Sequence, residues 1–344
     1  MQYNQSYYDD LNYLFSNDSN NSLLNGKSLF ITGATGLIGS AFADYLLYMK
    51  KNHSVNITIF LGGRDKQKLC KRFSAYSEGK DFSYIEYDAL KKINIDSSFN
   101  YIIHCAGYGD PTAIHNYPVE TILTNIQGLY DLLHFAKTTS VEKLLFVSSS
   151  EVYGQTEKQE AHYENIFGII DPANTRNSYP LSKKCGENLC ISYSQEYNLK
   201  TLIVRPGHIY GPQMTQKDSR ATAQFFRNVI NGNDIIMKSS GSQLRSYCYS
   251  LDCASAILSV LLKGKENEAY NISNRDSICT IREFAEELAS QTNHKIIFEN
   301  PTDAENKSYN LMQNSSLNSE KLEALGWHAC FSLKKGVEST IKQF

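Results

Sequence analysis

The chain has 344 residues, and its 34 basic and 36 acidic side chains leave a formal net charge of −2. This near-neutral balance favours neither nucleic acid nor an anionic membrane as a partner, and no apolar run approaches the roughly 20 residues of a membrane-spanning helix. The first residues lack the basic and apolar regions of a signal peptide, and the eight cysteines show no CxxC spacing, so we expect a cytoplasmic protein with free thiols and no metal site.

The chain opens with a polar stretch, residues 1–25, rich in asparagine, tyrosine and serine. Within it, Asp9–Phe15 predicts a short helix, which we expect to serve packing or subunit contact and not chemistry. A run of strand-forming residues, Ser28–Thr32, predicts the first strand. A helical pattern of apolar residues follows at Ala41–Lys50.

Three glycines, Gly33, Gly36 and Gly39, separate that strand from that helix. In this context the first glycine permits a tight turn, the second lets a pyrophosphate approach the backbone, and the third lets the helix pack close to the strand. The helix N-terminus offers unpaired N–H groups and a positive dipole end to phosphate. A purely structural turn is the alternative, but strand, glycines and helix in this order favour dinucleotide binding.

The next strand, Asn56–Leu61, departs from the usual NAD-binding pattern. An acidic residue near its end, about 20 residues past the glycines, normally binds the ribose 2′-hydroxyl. Here Gly62 and Gly63 are followed by Arg64 and Asp65. Because Arg64 could pair with a 2′-phosphate, stack on adenine or remain solvated, we expect NAD and leave NADP open.

Strand and helix patterns alternate as far as residue 205. Strands are predicted at Phe82–Tyr87, Asn100–Ala106, Lys143–Ser148 and Thr201–Arg205, and a helix at Thr121–Ala136. The alternation predicts an α/β fold with a Rossmann-like, doubly wound parallel sheet. Beyond the loop Pro206–Pro212 it breaks down, and helices are predicted near residues 221–231, 252–263 and 281–291. We expect an N-terminal extension (1–25), a dinucleotide-binding domain (26–205) and a smaller C-terminal substrate-binding domain (206–344), with approximate boundaries and interleaved segments.

Tyr179 and Lys183 form a candidate reacting pair, since residues four apart share one helical face. A neighbouring ammonium favours the phenolate of a tyrosine whose free pKa is about 10. Such a pair can take a proton from a hydroxyl while a nicotinamide oxidises the same carbon. A surface pair is the alternative in a chain with 23 tyrosines. Position favours chemistry, because the serine run 148–150 stands earlier at the carboxyl end of a predicted strand, where ligands bind in α/β sheets.

Taken together, TGATGLIG, SSSEVYG and YPLSK resemble the extended short-chain dehydrogenase/reductase family of nucleotide-sugar epimerases, dehydratases and decarboxylases. Weaker matches follow in a consistent order: IIHCAG, the Asn125 dipeptide TN, VRPGHIYGP, GSQLRSYCYSLD and EAYNIS. The resemblance runs from about Lys27 to the C-terminus. It implies an NAD-dependent enzyme with a nucleotide-sugar substrate, commonly a homodimer.

The resemblance also implies residue roles. Tyr179 would be the base at the sugar C4 hydroxyl, Lys183 would lower its pKa and hold the nicotinamide ribose, and Ser149 would be the catalytic serine. Cofactor contacts would come from Gly33, Thr35, Gly36, Leu37, Ile38, Gly39, Arg64, Asp88, Ala89, Ala106, Gly107 and Asn125, with Tyr179 and Lys183. Substrate contacts would come from Ser150, Arg176, His208, Arg220 and Arg245. The two last arginines would grip the diphosphate or a sugar carboxylate, whereas His208 stands where many relatives have Asn and could be structural.

Glu151 separates the possible reactions. A C4 epimerase needs no further acid or base once the ketone has formed, whereas a 4,6-dehydratase needs a base for the C5 proton. The pair Ser150-Glu151 resembles GDP-mannose-type dehydratases and UDP-glucuronate decarboxylases, and lacks the Asp of the dTDP-glucose type.

Two segments, residues 164–179 and 241–252, resemble those of the decarboxylases, in which Arg245 would orient the carboxylate and Glu151 would handle a proton next to C5. PLSK after Tyr179 departs from their usual DEGK. We therefore rank decarboxylation first, 4,6-dehydration second and C4 epimerisation third. An NADP-dependent sugar-nucleotide ketoreductase is the alternative from another class. A non-catalytic binding module comes last, since Ser149, Tyr179 and Lys183 are all present.

Overall fold

The computed structural model describes residues 3–18, 20–157, 160–302 and 312–344. The parts of the N-terminal extension at residues 1, 2 and 19 lie outside this range. The strands are β1 (Lys27–Thr32), β2 (Ile57–Gly63), β3 (Ser83–Glu86), β4 (Tyr101–His104), β5 (Lys143–Val147), β6 (Thr201–Pro206), β7 (His208–Tyr210), β8 (Ile235–Met237), β9 (Leu244–Tyr249), β10 (Ala269–Ile272), β11 (Ile278–Thr280), β12 (Ile296–Phe298) and β13 (Asn314–Ser315). The helices are α1 (Gln5–Asn17), α2 (Leu37–Asn52), α3 (Lys66–Arg72), α4 (Pro111–Asn116), α5 (Pro118–Thr138), α6 (Ser178–Tyr197), α7 (Ala221–Ile230), α8 (Ser250–Lys263), α9 (Ile281–Thr292), α10 (Glu320–Glu323) and α11 (Leu333–Ile341), with short 3-10 helices at Asn21–Leu24, Ser150–Tyr153, Thr175–Asn177 and Arg275–Ser277.

Seven strands form one parallel sheet in the order β10-β6-β5-β4-β1-β2-β3. The chain winds outward from β1 to β3 on one side and from β4 to β10 on the other. The predicted α/β, Rossmann-like doubly wound sheet is therefore confirmed. The order reverses between β1 and β4, and in such sheets ligands bind beyond the carboxyl ends of the strands at that reversal.

Two hydrophobic cores cover the two faces of this sheet. Successive side chains of a strand point to opposite faces, so Leu29 of β1 packs with α2 and α8, whereas Phe30 packs with α5 and α6. Residues 29–31 are fully buried. A continuous apolar run, and not an alternating one, is what a parallel sheet with both faces covered requires.

The large sheet takes its last strand from beyond residue 206. β10 pairs with β6, and α8 packs against α2 and β6. A helix and a parallel strand thus continue the earlier pattern, but residues 207–249 stand between β6 and α8 and hide the repeat from a sequence analysis. Segments from beyond residue 206 therefore belong to the large sheet, while the division of the chain into domains, with its approximate boundary at 205/206, stays a prediction.

The N-terminal helix α1 is longer than predicted and is packed into the molecule. Tyr7, Leu11 and Leu14 are fully buried, and the helix lies against α2, α8 and α11. The side chain of Asn4 caps its first turn by accepting a hydrogen bond from the Tyr7 backbone N–H at 3.0 Å. The described part of the extension is thus integral to the core.

Smaller sheets assemble beside the carboxyl ends of the large one. β9 pairs with β7 and β13 in parallel and with β11 antiparallel, and β8 pairs with β12. The aromatic side chains of Tyr210, Tyr247 and Phe284 pack together between α9 and these strands. This packing fixes β7 and β9, which carry His208 and Arg245.

Candidate active site

The glycine turn is packed so closely that side chains do not fit. Gly33 has a φ of +66°, and a Cβ there would lie 2.7 Å from the backbone nitrogen of Ala106. A Cβ at Gly39 would lie 2.4 Å from the carbonyl oxygen of Gly33. Gly36 is exposed at the N-cap of α2 and supplies no side-chain cap. The first backbone N–H groups of α2 therefore face the carboxyl edge of the sheet, as a pyrophosphate site requires.

Other predicted cofactor residues surround the same edge. Thr35, Leu37 and Ile38 are half-buried in the turn, and Ala106 follows β4. Gly107 is packed against Asn125, where a Cβ would lie 2.2 Å from the Asn125 Oδ1. Asn125 is fully buried, its Nδ2 donates to the Ser182 hydroxyl at 2.9 Å, and its Oδ1 has no hydrogen-bond partner among the described residues. A buried acceptor without a partner is costly, so a ligand or water is expected there.

The adenosine end of the predicted site lies past β2 and β3. Asp88 is half-buried, and its Oδ1 accepts a hydrogen bond from the Leu90 backbone N–H at 3.1 Å, while Ala89 is buried. Asp65 is used as the N-cap of α3, where it accepts from the Lys68 N–H. Arg64 is exposed and makes no hydrogen bond or ion pair with the part of the chain that the structure describes. Its guanidinium is therefore available to a ligand.

The two residues of the predicted reacting pair lie on the first two turns of α6. The Lys183 Nζ donates to the carbonyl oxygen of Val147 at 2.8 Å and lies 5.9 Å from the centre of the Tyr179 ring. Ser149 follows β5 and caps the 3-10 helix Ser150–Tyr153 through the Glu151 N–H. Its hydroxyl also lies close enough to Tyr179 to lower the pKa of that phenol. The structure thus brings Ser149, Tyr179 and Lys183 together.

Burial dominates the acid–base properties of this pair. It raises the pKa of Tyr179 to about 12, a rise that the charge of Glu151 reinforces and that the Ser149 hydroxyl, Arg176 and Arg220 partly offset. Burial also lowers the pKa of Lys183 to about 8. A tyrosinate stabilised by Lys183 therefore stays a prediction for the complex with cofactor and substrate.

Glu151 is bound at both oxygens by one arginine. The Arg176 Nη1 and Nη2 donate to the two carboxylate oxygens, each at 3.0 Å. Burial lowers the pKa of Arg176, but the charge and hydrogen bonds of Glu151, together with the charge of Tyr179, raise it by more. The sequence analysis assigned Arg176 to the substrate. In the structure its guanidinium holds Glu151, so its role as a substrate contact stays a prediction.

Arg245 is a buried cation without a carboxylate partner among the described residues. It is 3% exposed, and its guanidinium makes one hydrogen bond, from Nη1 to the Leu244 carbonyl oxygen at 2.9 Å. Burial lowers its pKa, and the charges of Tyr247 and Glu151 only partly compensate. Since an uncompensated buried charge is unfavourable, this position is suited to an anionic group of a ligand.

The remaining predicted substrate residues differ in their availability. Arg220 is held by Asp218, with bonds of 2.9 and 2.5 Å, and by the Ile209 carbonyl oxygen at 3.1 Å. The Nδ1 of His208 is buried without a partner in the described chain, and burial, together with Arg245 and Arg220, holds its pKa far below the ordinary value. His208 is thus a neutral imidazole. Ser150 is buried.

A buried network behind residues 148–153 was not predicted from the sequence. Glu187 accepts a hydrogen bond from the Ser148 hydroxyl at 2.6 Å and two from Arg205, at 2.9 and 2.6 Å. Arg205 also donates to the Tyr153 hydroxyl at 3.0 Å. Both ends of the segment that carries Ser149 and Glu151 are therefore anchored. The sequence did contain a signal for this network, because Glu187 lies four residues after Lys183, on the same helical face as Tyr179 and Lys183.

The described residues contain neither a metal-binding cluster nor a membrane-spanning helix. No group of three or more histidine, cysteine, aspartate or glutamate residues in the described ranges could hold a metal ion. Within those same ranges, none of the helices has the length and apolar character needed to cross a bilayer.

Known proteins resemble the chain over most of its length. It is 28% identical over 313 residues to UDP-glucuronic acid decarboxylase 3 of Arabidopsis thaliana, covering 90% of this chain and 86% of that protein. It is 26% identical over 325 residues to the human dTDP-D-glucose 4,6-dehydratase, covering 92% and 90%. The fold matches the crystal structure of a dTDP-glucose 4,6-dehydratase from Bacillus anthracis in complex with NAD, with a TM-score of 0.76, 20% identity and coverage of 92% and 96%.

A family model also matches most of the chain. The model of the NAD dependent epimerase/dehydratase family matches residues 29–273, from β1 to just past β10. This match confirms the resemblance found in the sequence and the choice of NAD as cofactor. The chain therefore belongs to the NAD-dependent epimerase/dehydratase family of enzymes.

Proposed function

We propose that this enzyme decarboxylates a nucleotide-linked hexuronic acid such as UDP-glucuronate, through transient oxidation at C4. The observation that carries the proposal is Arg245, buried and without a carboxylate partner in the described chain. The charge of Glu151 reaches its guanidinium, which favours a place near the sugar and not only near the diphosphate. A sugar carboxylate would supply the missing anion. The UDP-glucuronic acid decarboxylases among the relatives support the same choice.

The turn at Gly33–Gly39, Asp88 and Asn125 would hold NAD, which supplies the oxidation of C4 and its later reversal. Tyr179, close to Ser149, would take the proton of the C4 hydroxyl and return it at the end. Lys183 would steady this site from the second turn of α6. Arg245 would orient the carboxylate, and Glu151 would supply a proton at C5.

Dehydration of a nucleotide sugar is the second candidate, and the Glu151–Arg176 ion pair favours it. Two hydrogen bonds from Arg176 hold the Glu151 carboxylate in one orientation. An ionised carboxylate beside C5 is the base that a 4,6-dehydratase needs. The human dTDP-D-glucose 4,6-dehydratase among the relatives makes this reaction the natural competitor.

The experiment is to incubate the purified enzyme with UDP-, GDP-, CDP- and dTDP-sugars, including UDP-glucuronate, and to weigh the products. Loss of the mass of CO2 from UDP-glucuronate is the expected result. Loss of the mass of water from a hexose would establish the dehydratase instead, and an unchanged mass with altered stereochemistry would establish an epimerase.

The matched variant is Tyr179→Phe. We expect turnover to fall by about 100-fold or more, while nucleotide-sugar binding measured by calorimetry stays close to that of the wild type. Ordinary turnover by this variant would contradict the assignment of the base.

We also propose that the enzyme is a cytoplasmic homodimer. Its eight cysteines are all free thiols, as is usual in a reducing compartment. α5 and α6 lie side by side, and α5 exposes large apolar side chains along one stripe, Val119, Leu123 and Tyr130. Exposed apolar area of this kind is typical of a protein–protein interface.

A further inference from the structure

A cavity of about 200 Å³ opens beside Glu151 and Arg176. Its other walls come from residues 154–155, 169–171, 174 and 177, with Pro180 and Met312, and Asp171 is the second carboxylate among them. Ser149, Tyr179 and Lys183 are not among the described residues that line it. The charges of Glu151 and Arg176 act on the Tyr179 hydroxyl, so this ion pair borders both the side cavity and the reacting tyrosine and forms a shared wall between them.

The walls of the side cavity suit water. Asn174, Asn177 and Gln155 line it, and the side-chain amide of Gln155 makes no hydrogen bond to any described residue. The volume exceeds the roughly 15 Å³ that one water needs, and the polar walls supply the partners that such a water requires. Ile169 also lines the cavity and is 78% exposed, so it stands at the mouth, where the cavity meets solvent.

Decarboxylation requires such a connection to solvent, a requirement that rests on the proposed function. When the C4 ketone has formed, the C5–C6 bond breaks, C6 leaves as CO2, and the electron pair remains on C5. A proton from Glu151 then forms the new C5–H bond. Because the substrate enters as a carboxylate and its carbon leaves as neutral CO2, each turnover takes up one proton from solvent. A 4,6-dehydration has no such net uptake, since the proton lost from C5 is returned.

We propose that the side cavity is the route by which solvent protons reach Glu151 while the substrate occupies the catalytic side. Glu151 can receive the proton on the cavity side of the shared wall and deliver it on the other. Arg176 positions the Glu151 carboxylate between the side cavity and the catalytic residues.

The experiment narrows the mouth without touching the catalytic residues. Ile169→Trp enlarges an exposed side chain, while the backbone hydrogen bonds between residues 155 and 169, both 2.9 Å, remain. Gln155→Leu removes a polar group of the wall. Phe167→Trp is the matched control, since Phe167 is 75% exposed on the same loop and does not line the cavity. The readouts are CO2 release across pH, KM for UDP-glucuronate, and the absorbance of reduced NAD in the first turnover.

We expect Ile169→Trp to lower the steady-state rate at alkaline pH by at least about tenfold, with a smaller loss at acidic pH, where protons are abundant. KM and the first-turnover reduction of NAD should match the wild type, as should every property of Phe167→Trp. Gln155→Leu should shift the pH profile in the same direction.

The possible failures are distinct. If the wild type releases CO2 while both cavity variants keep its rate and pH profile, the proton route is wrong and the proposed function stands. If the wild type releases no CO2 from UDP-glucuronate, the proposed function is wrong, and the route falls with it.

Discussion

Asp252, at the start of α8, is a fully buried carboxylate without a cationic partner in the described parts of the chain. It accepts hydrogen bonds from the backbone N–H groups of Cys330 and Phe331, at 2.7 and 3.1 Å. These bonds tie the segment before α11 to α8. They do not compensate for burial, which raises the pKa of Asp252 from 3.8 to about 7.

This raised pKa gives stability a defined pH dependence. The folded protein holds the proton more tightly than the unfolded chain, so the contribution of Asp252 is complete below pH 3.8 and is lost as pH rises towards about 7. We expect the free energy of unfolding of Asp252→Asn, relative to that of the wild type, to increase over this interval and to level off above it. Urea unfolding at a series of pH values measures the difference. A constant difference across the interval would show that Asp252 titrates normally.

At the scale of elements, α1 shows how a polar-looking segment becomes part of the core. Its residue Tyr7 donates to Asp44 of α2 at 2.9 Å, and Asp44 is bound by Arg72 at 2.5 Å. The Tyr7 hydroxyl in turn accepts from Gln213, beyond β7, at 2.6 Å. One helix therefore connects the cofactor-binding strands to the smaller sheets.

We expect truncation of a core residue of α1 to lower the stability of the whole protein. Leu11→Ala removes a fully buried side chain and should cost about 2–5 kcal/mol in the free energy of unfolding. Leu23→Ala, at a leucine that is 51% exposed nearby, is the control and should change it by less than about 0.5 kcal/mol. Chemical denaturation distinguishes the two, and equal effects would mean that α1 packs only weakly.

At the scale of the whole molecule, the exposed stripe on α5 bears on the proposed homodimer. Leu123 is 50% exposed in that stripe, and Leu90 is 49% exposed after β3. Leu123→Glu places a charge where the partner subunit would pack, so we expect a monomer in analytical ultracentrifugation. Leu90→Glu is the control and should sediment with the same assembly mass as the wild type. A monomeric wild type would rule out the dimer.

The sequence predicted the parallel sheet because strand and helix patterns alternate along it. It predicted the clustering of Ser149, Tyr179 and Lys183 because the serine run follows a strand end and because the motifs resemble a known family. It did not predict that β10 joins the large sheet, since a long insertion separates that strand from β6. It also could not place Arg176 against Glu151. The two residues are far apart along the chain, and side-chain pairing between loops follows only from the three-dimensional path of the backbone.

The return of α8 and β10 to the large sheet limits how the smaller sheets, which contain β7 and β9, can move. The polypeptide leaves the sheet after β6, comes back at α8, leaves again after β10 and is fastened to α8 by the bonds to Asp252. A region connected at several points cannot swing open on a single hinge. We therefore expect the proposed nucleotide-sugar substrate to enter through small sliding movements of packed elements, with Arg245 and Glu151 keeping nearly the same separation from one turnover to the next.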